Sequence, residues 1–170
     1  MTRRIPAVCV VLALLGAVPA TAQTAQQERL AGVTEAQVSI EVLDDDSASC
    51  GITETGLTTA ASKTLLDNGI RVIDESIGPM LYVNVNTVYF DSLNLCVSSL
   101  TVELKEGLYA NPRHSAQRVF GWFMLATTYT GILSSLSSDH GQRIRDTVFE
   151  YVEQIAVDIR LANQELPRST

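Results

Sequence analysis

The chain has 170 residues, 12 of them basic and 19 acidic, for a formal net charge of −7 with 46% hydrophobic side chains. That balance repels phosphate backbones, and two lysines, Lys63 and Lys105, with ten scattered arginines form no basic stripe. Nucleic acid and anionic membrane surfaces are therefore poor partners, and the acidity serves solubility or a cationic partner.

The first residues follow a three-part export pattern. Thr2-Arg3-Arg4 is a short cationic start, Ile5 to Val18 is an almost unbroken apolar run, and Pro19-Ala20-Thr21-Ala22 closes it with small side chains suited to a signal peptidase. The run is shorter than the roughly 20 apolar residues needed to span a bilayer. We expect residues 1–22 to be a cleaved signal and Gln23–Thr170 to be a periplasmic or secreted protein with no integral membrane segment. Loss of Arg3 and Arg4 leaves 10 basic against 19 acidic residues, a net of −9 over 148 residues. That length suits a single domain. Cleavage also removes Cys9 and leaves Cys50 and Cys96, an even pair in an oxidising compartment, which predicts a Cys50–Cys96 disulfide.

Residues 23–34 are polar and read as a flexible leader. From Glu35 to Leu43, Val38, Ile40 and Val42 alternate with polar neighbours, the period of a half-buried strand, and Asp44-Asp45-Asp46-Ser47 breaks it as a turn. Thr53 predicts the cap of a helix carrying Leu57, Ala61 and Leu65 at intervals of four, stopped by Asn68-Gly69. Ile70 to Ile73 is a short β-branched strand ending before Gly78-Pro79. Met80 to Phe90 is a long strand with Leu81, Val83, Val85 and Tyr89 on one face and Tyr82, Asn84 and Asn86 on the other.

After a turn at Asp91-Ser92, Leu93 to Leu104 predicts a second long strand. Its apolar parity changes between Leu93, Leu95, Val97 and Leu100, Val102, Leu104, so a β-bulge is expected at Ser98-Ser99. Arg118 to Leu133 fits a buried strand or a buried helix by periodicity, and its aromatic and β-branched content favours a strand. Ser134 to Ser138 is expected to loop out. Asp139 with Gln142 resembles a capping box opening a helix whose stripe is Ile144, Val148, Val152, Ile155, Ile159 and Ala162. The order β-α-β-β-β-β-α predicts an α+β two-layer sandwich over residues 35–166. It holds a mainly antiparallel sheet of about five strands covered on one face by two helices, followed by a tail at 167–170.

The sequence holds no GxSxG, GxxxxGKS, GxGxxG or HExxH pattern and no calcium loop. We therefore expect no cofactor and no metal, since His114 and His140 are the only histidines. Ser138-Asp139-His140 places triad residue types side by side, but neighbours in sequence rarely face one another, and Asp139 reads as a helix cap. The polar strand face Tyr82, Asn84, Asn86 could bind a partner or ligand. The loop residues Arg113 and His114 offer a cation and an imidazole together.

The succession Cys50-Gly51-Ile52, helix, Gly69-Ile70-Arg71-Val72, Leu81-Tyr82-Val83-Asn84-Val85 and a final long helix to Asn163 resembles small exported bacterial proteins of uncharacterised function. Its element order is similar to periplasmic accessory domains of the curli-secretion lipoprotein and of the activator lipoproteins of peptidoglycan synthases. The likeness covers most of the chain after residue 22, without a lipid-attachment cysteine. It implies a protein-binding role in the cell envelope, and the lack of motifs makes a non-enzymatic domain that binds another envelope protein, through its sheet or a sheet edge, the leading expectation. The rival readings are a small hydrolase using a serine of Ser134–Ser138 with His140, and a carrier with an apolar pocket between helices and sheet.

Overall fold

The computed structural model describes residues 20–41, 45–74, 78–110, 118–126 and 128–165, with side chains from 25 onward except those of 110 and 165. Helix α1 (Ala20–Leu30) precedes strand β1 (Glu35–Ile40), helices α2 (Asp45–Ser49) and α3 (Glu54–Asp67), and strands β2 (Arg71–Val72) and β3 (Pro79–Phe90). A 3-10 turn at Asp91–Leu93 leads to β4 (Leu95–Ala110), β5 (Val119–Met124), β6 (Tyr129–Leu136) and the 29-residue helix α4 (Ser137–Glu165).

The sheet runs β2-β1-β3-β4-β5, with β6 also paired to β4. β1 lies parallel to β2 and β3, whereas β4 is antiparallel to β3, β5 and β6. The fold is α+β as expected, with helices on one face of a mainly antiparallel sheet. It has six strands because the stretch read as one strand over 118–133 is two. They share one side of β4, and the chain steps inward between them where Leu125 and Ala126 are buried and both amides meet the Leu104 carbonyl.

The inner face carries the core. Leu81, Val83 and Val85 of β3 and Leu100, Val102 and Leu104 of β4 meet Ile144, Val148, Val152, Ile155 and Ile159 of α4, all buried. These helix residues recur at three and four, so one stripe meets the alternating strand positions. α3 is built as its signals predict. The Thr53 hydroxyl accepts the Gly56 amide at 3.2 Å, Leu57, Ala61 and Leu65 are fully buried, and Gly69 takes φ +78° so that Ile70 N–H reaches the Leu65 carbonyl at 2.9 Å. Cys50, just past α2, is disulfide-bonded to Cys96 of β4 with Cα atoms 6.0 Å apart.

Several expectations are revised. No bulge occurs at Ser98-Ser99, because β3 and β4 pair one-to-one from Pro79↔Glu106 to Phe90↔Leu95. The apparent change of parity arises because Cys96 and Ser98 take inward positions while Leu95 and Val97 lie outward. Ser134–Ser138 does not loop out: β6 runs to Leu136 and α4 starts at Ser137, whose amide bonds the Asn94 carbonyl. The helix therefore begins two residues before Asp139. Asp45 and Asp46 open α2 rather than a turn, and Asp46 accepts the Tyr89 amide. Within the stretch 23–34, read as a flexible leader, α1 buries Leu30 completely. The stretch is tied to α4 where Gln26 donates to Asp158, and where Asn163 bonds both Gly32 N–H and the Val33 carbonyl.

Candidate functional site

Strand alternation puts Tyr82, Asn84, Asn86, Val88 and Phe90 of β3 on the face away from the helices. Thr101, Glu103 and Lys105 of β4 join them, as do Phe120 and Trp122 of β5 and Ile132 of β6. No described residue on this outer face of β3–β6 is buried, whereas the inner face is the core.

The three predicted strand residues lie together. Tyr82 donates its hydroxyl to the Glu41 carboxylate at 2.8 Å, and the Lys105 ammonium sits 3.4 Å from the centre of its ring. The bond to Glu41, then burial and the charges of Glu41 and Glu103, push the Tyr82 phenol up to about 12. The phenol is thus a fixed neutral donor with a cation on its face. The Asn86 amide donates to the Asn84 side chain, which leaves their remaining amide groups turned to solvent. Arg113 and His114 lie outside the described residues.

Beyond Glu106, β4 has left β3 behind and pairs with β5 alone. This ribbon carries an aromatic run in which Tyr109 packs on Phe120 and Phe120 on Trp122, each pair edge-to-face at 5.3 Å. Trp122 is 47% exposed, and Leu108, Val119 and Phe123 are exposed on the opposite side of the ribbon. The sequence reading placed this apolar run in the interior, since an unbroken VFGWFM stretch carries the same signal as a buried strand. Its lack of alternation was the available sign that both faces would be alike.

His140 stands at a second polar cluster: the structure joins it to Ser135 of the Ser134–Ser138 stretch, as the hydrolase reading paired them, and adds Ser98 and Thr87, which the sequence did not foretell. Its ring nitrogens contact Ser98 Oγ at 2.7 Å and Ser135 Oγ at 2.8 Å, and Ser98 Oγ lies 2.8 Å from Thr87 Oγ1. His140, Ser98 and Thr87 are buried. Burial, with the Arg143 charge, pushes the imidazole below its ordinary value. A neutral ring donates through one nitrogen and accepts through the other, so two hydroxyls satisfy it completely. Ser98 and His140 are fully buried, Ser135 is part-buried, and among the described residues no carboxylate is hydrogen-bonded to the ring, so these contacts satisfy a core histidine.

A cleft of about 300 Å³ opens at the base of the ribbon, between Arg29, Val33, Glu35, Pro79, Glu106 and Leu125. Its mixed charged lining is unlike an apolar carrier pocket. Among the described residues no helix is long and apolar enough to cross a membrane, and no three His, Cys, Asp or Glu side chains are grouped to hold a metal ion.

No family model matches the chain, and neither does any curated protein. Solved structures with a similar chain course include a minor lipoprotein from Acinetobacter baumannii, at 14% identity over 77% of this chain and 93% of that one, TM-score 0.40. A PelC dodecamer from Paraburkholderia phytofirmans matches at 16% identity over 75% of this chain and 86% of its own, TM-score 0.39. A second crystal form of that dodecamer gives 14%, 71%, 86% and 0.41.

Proposed function

We propose that this is an exported, non-enzymatic envelope protein whose segment Gln23–Thr170 binds a partner protein through the outer face of its sheet. The observation that carries the reading is the complete division of the sheet. Helices cover one face, and the other presents ordered side chains with no described element over it. Tyr82, held by Glu41 and Lys105, and the Asn84–Asn86 pair supply hydrogen-bonding groups, while Val88, Phe90 and Trp122 supply exposed apolar area beside them. Polar anchors set among aromatic groups are what protein interfaces are enriched in.

Export is supported by the leader pattern and by the disulfide, which belongs to oxidising compartments. Two measurements test the reading. N-terminal sequencing of the native protein is expected to begin at Gln23, in the periplasmic or secreted fraction. Immobilised protein should retain one envelope protein that an Asn84→Arg variant of equal stability does not. A native chain beginning at Met1 in the cytosol removes the location, and equal retention by both proteins removes the surface.

A further inference from the structure

The ribbon formed by the ends of β4 and β5 is apolar on both faces. Tyr109, Phe120, Trp122 and Met124 point outward and Leu108, Val119 and Phe123 inward, and each is at least 36% exposed. A two-stranded ribbon is marginal by itself in water. A partner laid flat on it covers one face and leaves the other wet, whereas a strand added to its edge touches side chains on both. The edge is available, because among the described residues no strand pairs β5 on the side away from β4.

Charge selects the occupant. The 20 residues from Val119 to Ser138 contain no charged side chain, in a chain of net charge −7. Open edges are ordinarily protected by lysine, proline or inward charge, and β5 has none of these. Two copies meeting along this segment bring no carboxylate of it against another. We propose that the β5 edge is a self-association surface, on which two copies of this chain pair antiparallel about a two-fold axis at Gly121.

That register keeps each strand's faces in phase. It lays Phe120 of one copy beside Trp122 of the other on the outer face, and Val119 beside Phe123 on the inner face. The two glycines at the axis put no Cβ between the strands. The interface is isologous and closes at two copies. The half-exposed rings of Phe120, Trp122 and Phe123 on the edge strand supply roughly 300 Å² per copy. Val119 and Met124 on the same strand add to this, against the ~800 Å² each partner contributes to a standard interface. The pairing does not use Tyr82, Asn84 or Asn86 of β3, though it shares Trp122 with the docking face, and it joins two outer faces into one continuous surface.

Sedimentation of the purified protein over a wide concentration range tests this. A dimer is expected, and Trp122→Lys and Phe120→Glu should each return the monomer mass with unchanged circular dichroism and an intact Cys50–Cys96 bond. Asn84→Arg, which tests the docking face, should leave the dimer as it is. Should the β5 variants misfold, Gly121→Cys provides a second readout, since mild oxidation is expected to give a covalent dimer where Thr59→Cys on α3 gives none. A monomer at the highest soluble concentration, an assembly larger than a dimer, a dimer that survives both β5 variants, or equal crosslinking at Gly121 and Thr59 overturns it.

Discussion

The two faces of this sheet use the same strands for opposite ends. On the inner face, Leu81, Val83, Leu100, Val102 and Leu104 are closed under α4, and even the polar members, Thr87, Ser98 and His140, bond one another. On the outer face the same strands alternate polar and apolar groups with none of them buried. Stability should therefore be concentrated on one side of the sheet and recognition on the other, and substitutions of comparable size should have unequal effects on the two sides.

The largest effect is expected at the disulfide, which fastens the turn after α2 to the inner face of β4. Closing a loop across a sequence separation of 46 stabilises by about 4 kcal/mol on the chain-entropy account. Replacing both Cys50 and Cys96 with serine should lower the urea midpoint accordingly. A loss under about 1 kcal/mol would show that the helical layer holds the inner face without the crosslink.

Next is the core itself. Leu100 is 1% exposed, and Leu100→Ala removes its transfer free energy and leaves a cavity, for a loss of about 3 kcal/mol. The same measurement on Ile132→Ala, on the outer face at a position 82% exposed, is expected to give a small fraction of that. Equal losses would erase the contrast between the faces.

His140 gives an intermediate effect with a pH signature. His140→Gln breaks one buried and one part-buried contact and should cost about 2 kcal/mol at neutral pH. In the folded chain burial and Arg143 hold the ring below its ordinary value of 6.5, so the unfolded chain takes up a proton more readily. Stability is therefore whole above pH 6.5 and falls as pH drops through that value toward the lower folded value. Unfolding curves of wild type and variant at neutral and mildly acidic pH should show a shallower pH slope for the variant. Parallel slopes would mean that His140 does not titrate between the two states.

How much of this was legible follows from which signals are local. The cap at Thr53, the stop at Gly69, the alternation of Leu81, Val83 and Val85 and the stripe of α4 are set by residues close in sequence, and they appear as read. Tyr82, Asn84 and Asn86 follow from the same alternation. The Cys50–Cys96 pairing was legible because only two cysteines follow the apolar start of the chain. The Ser98 position was not, because its polarity is explained by Thr87 on the neighbouring strand and by His140, 42 residues away in sequence, and a serine on an apolar parity looks like a register slip. The ribbon was not legible for the reverse reason. An unbroken apolar strand reads as interior, and only the extent of β3, which stops pairing at Glu106, leaves that segment of β4 and β5 without a third neighbour.

The smallest effect on stability is the most telling for function. Asn84→Ala on the outer face removes a side chain whose partner, Asn86, is itself exposed, so its cost should lie within about 0.5 kcal/mol. Lys105→Ala frees the Tyr82 ring and the Glu103 carboxylate and should cost about 1 kcal/mol, the worth of a partly shielded cation–π contact. If the face is a docking surface, these changes reduce partner retention well beyond their effect on the unfolding midpoint, because binding draws on groups that folding leaves solvated. Retention falling only in step with stability would mean that the outer face is merely wetted by water, and that recognition must be sought elsewhere on the molecule.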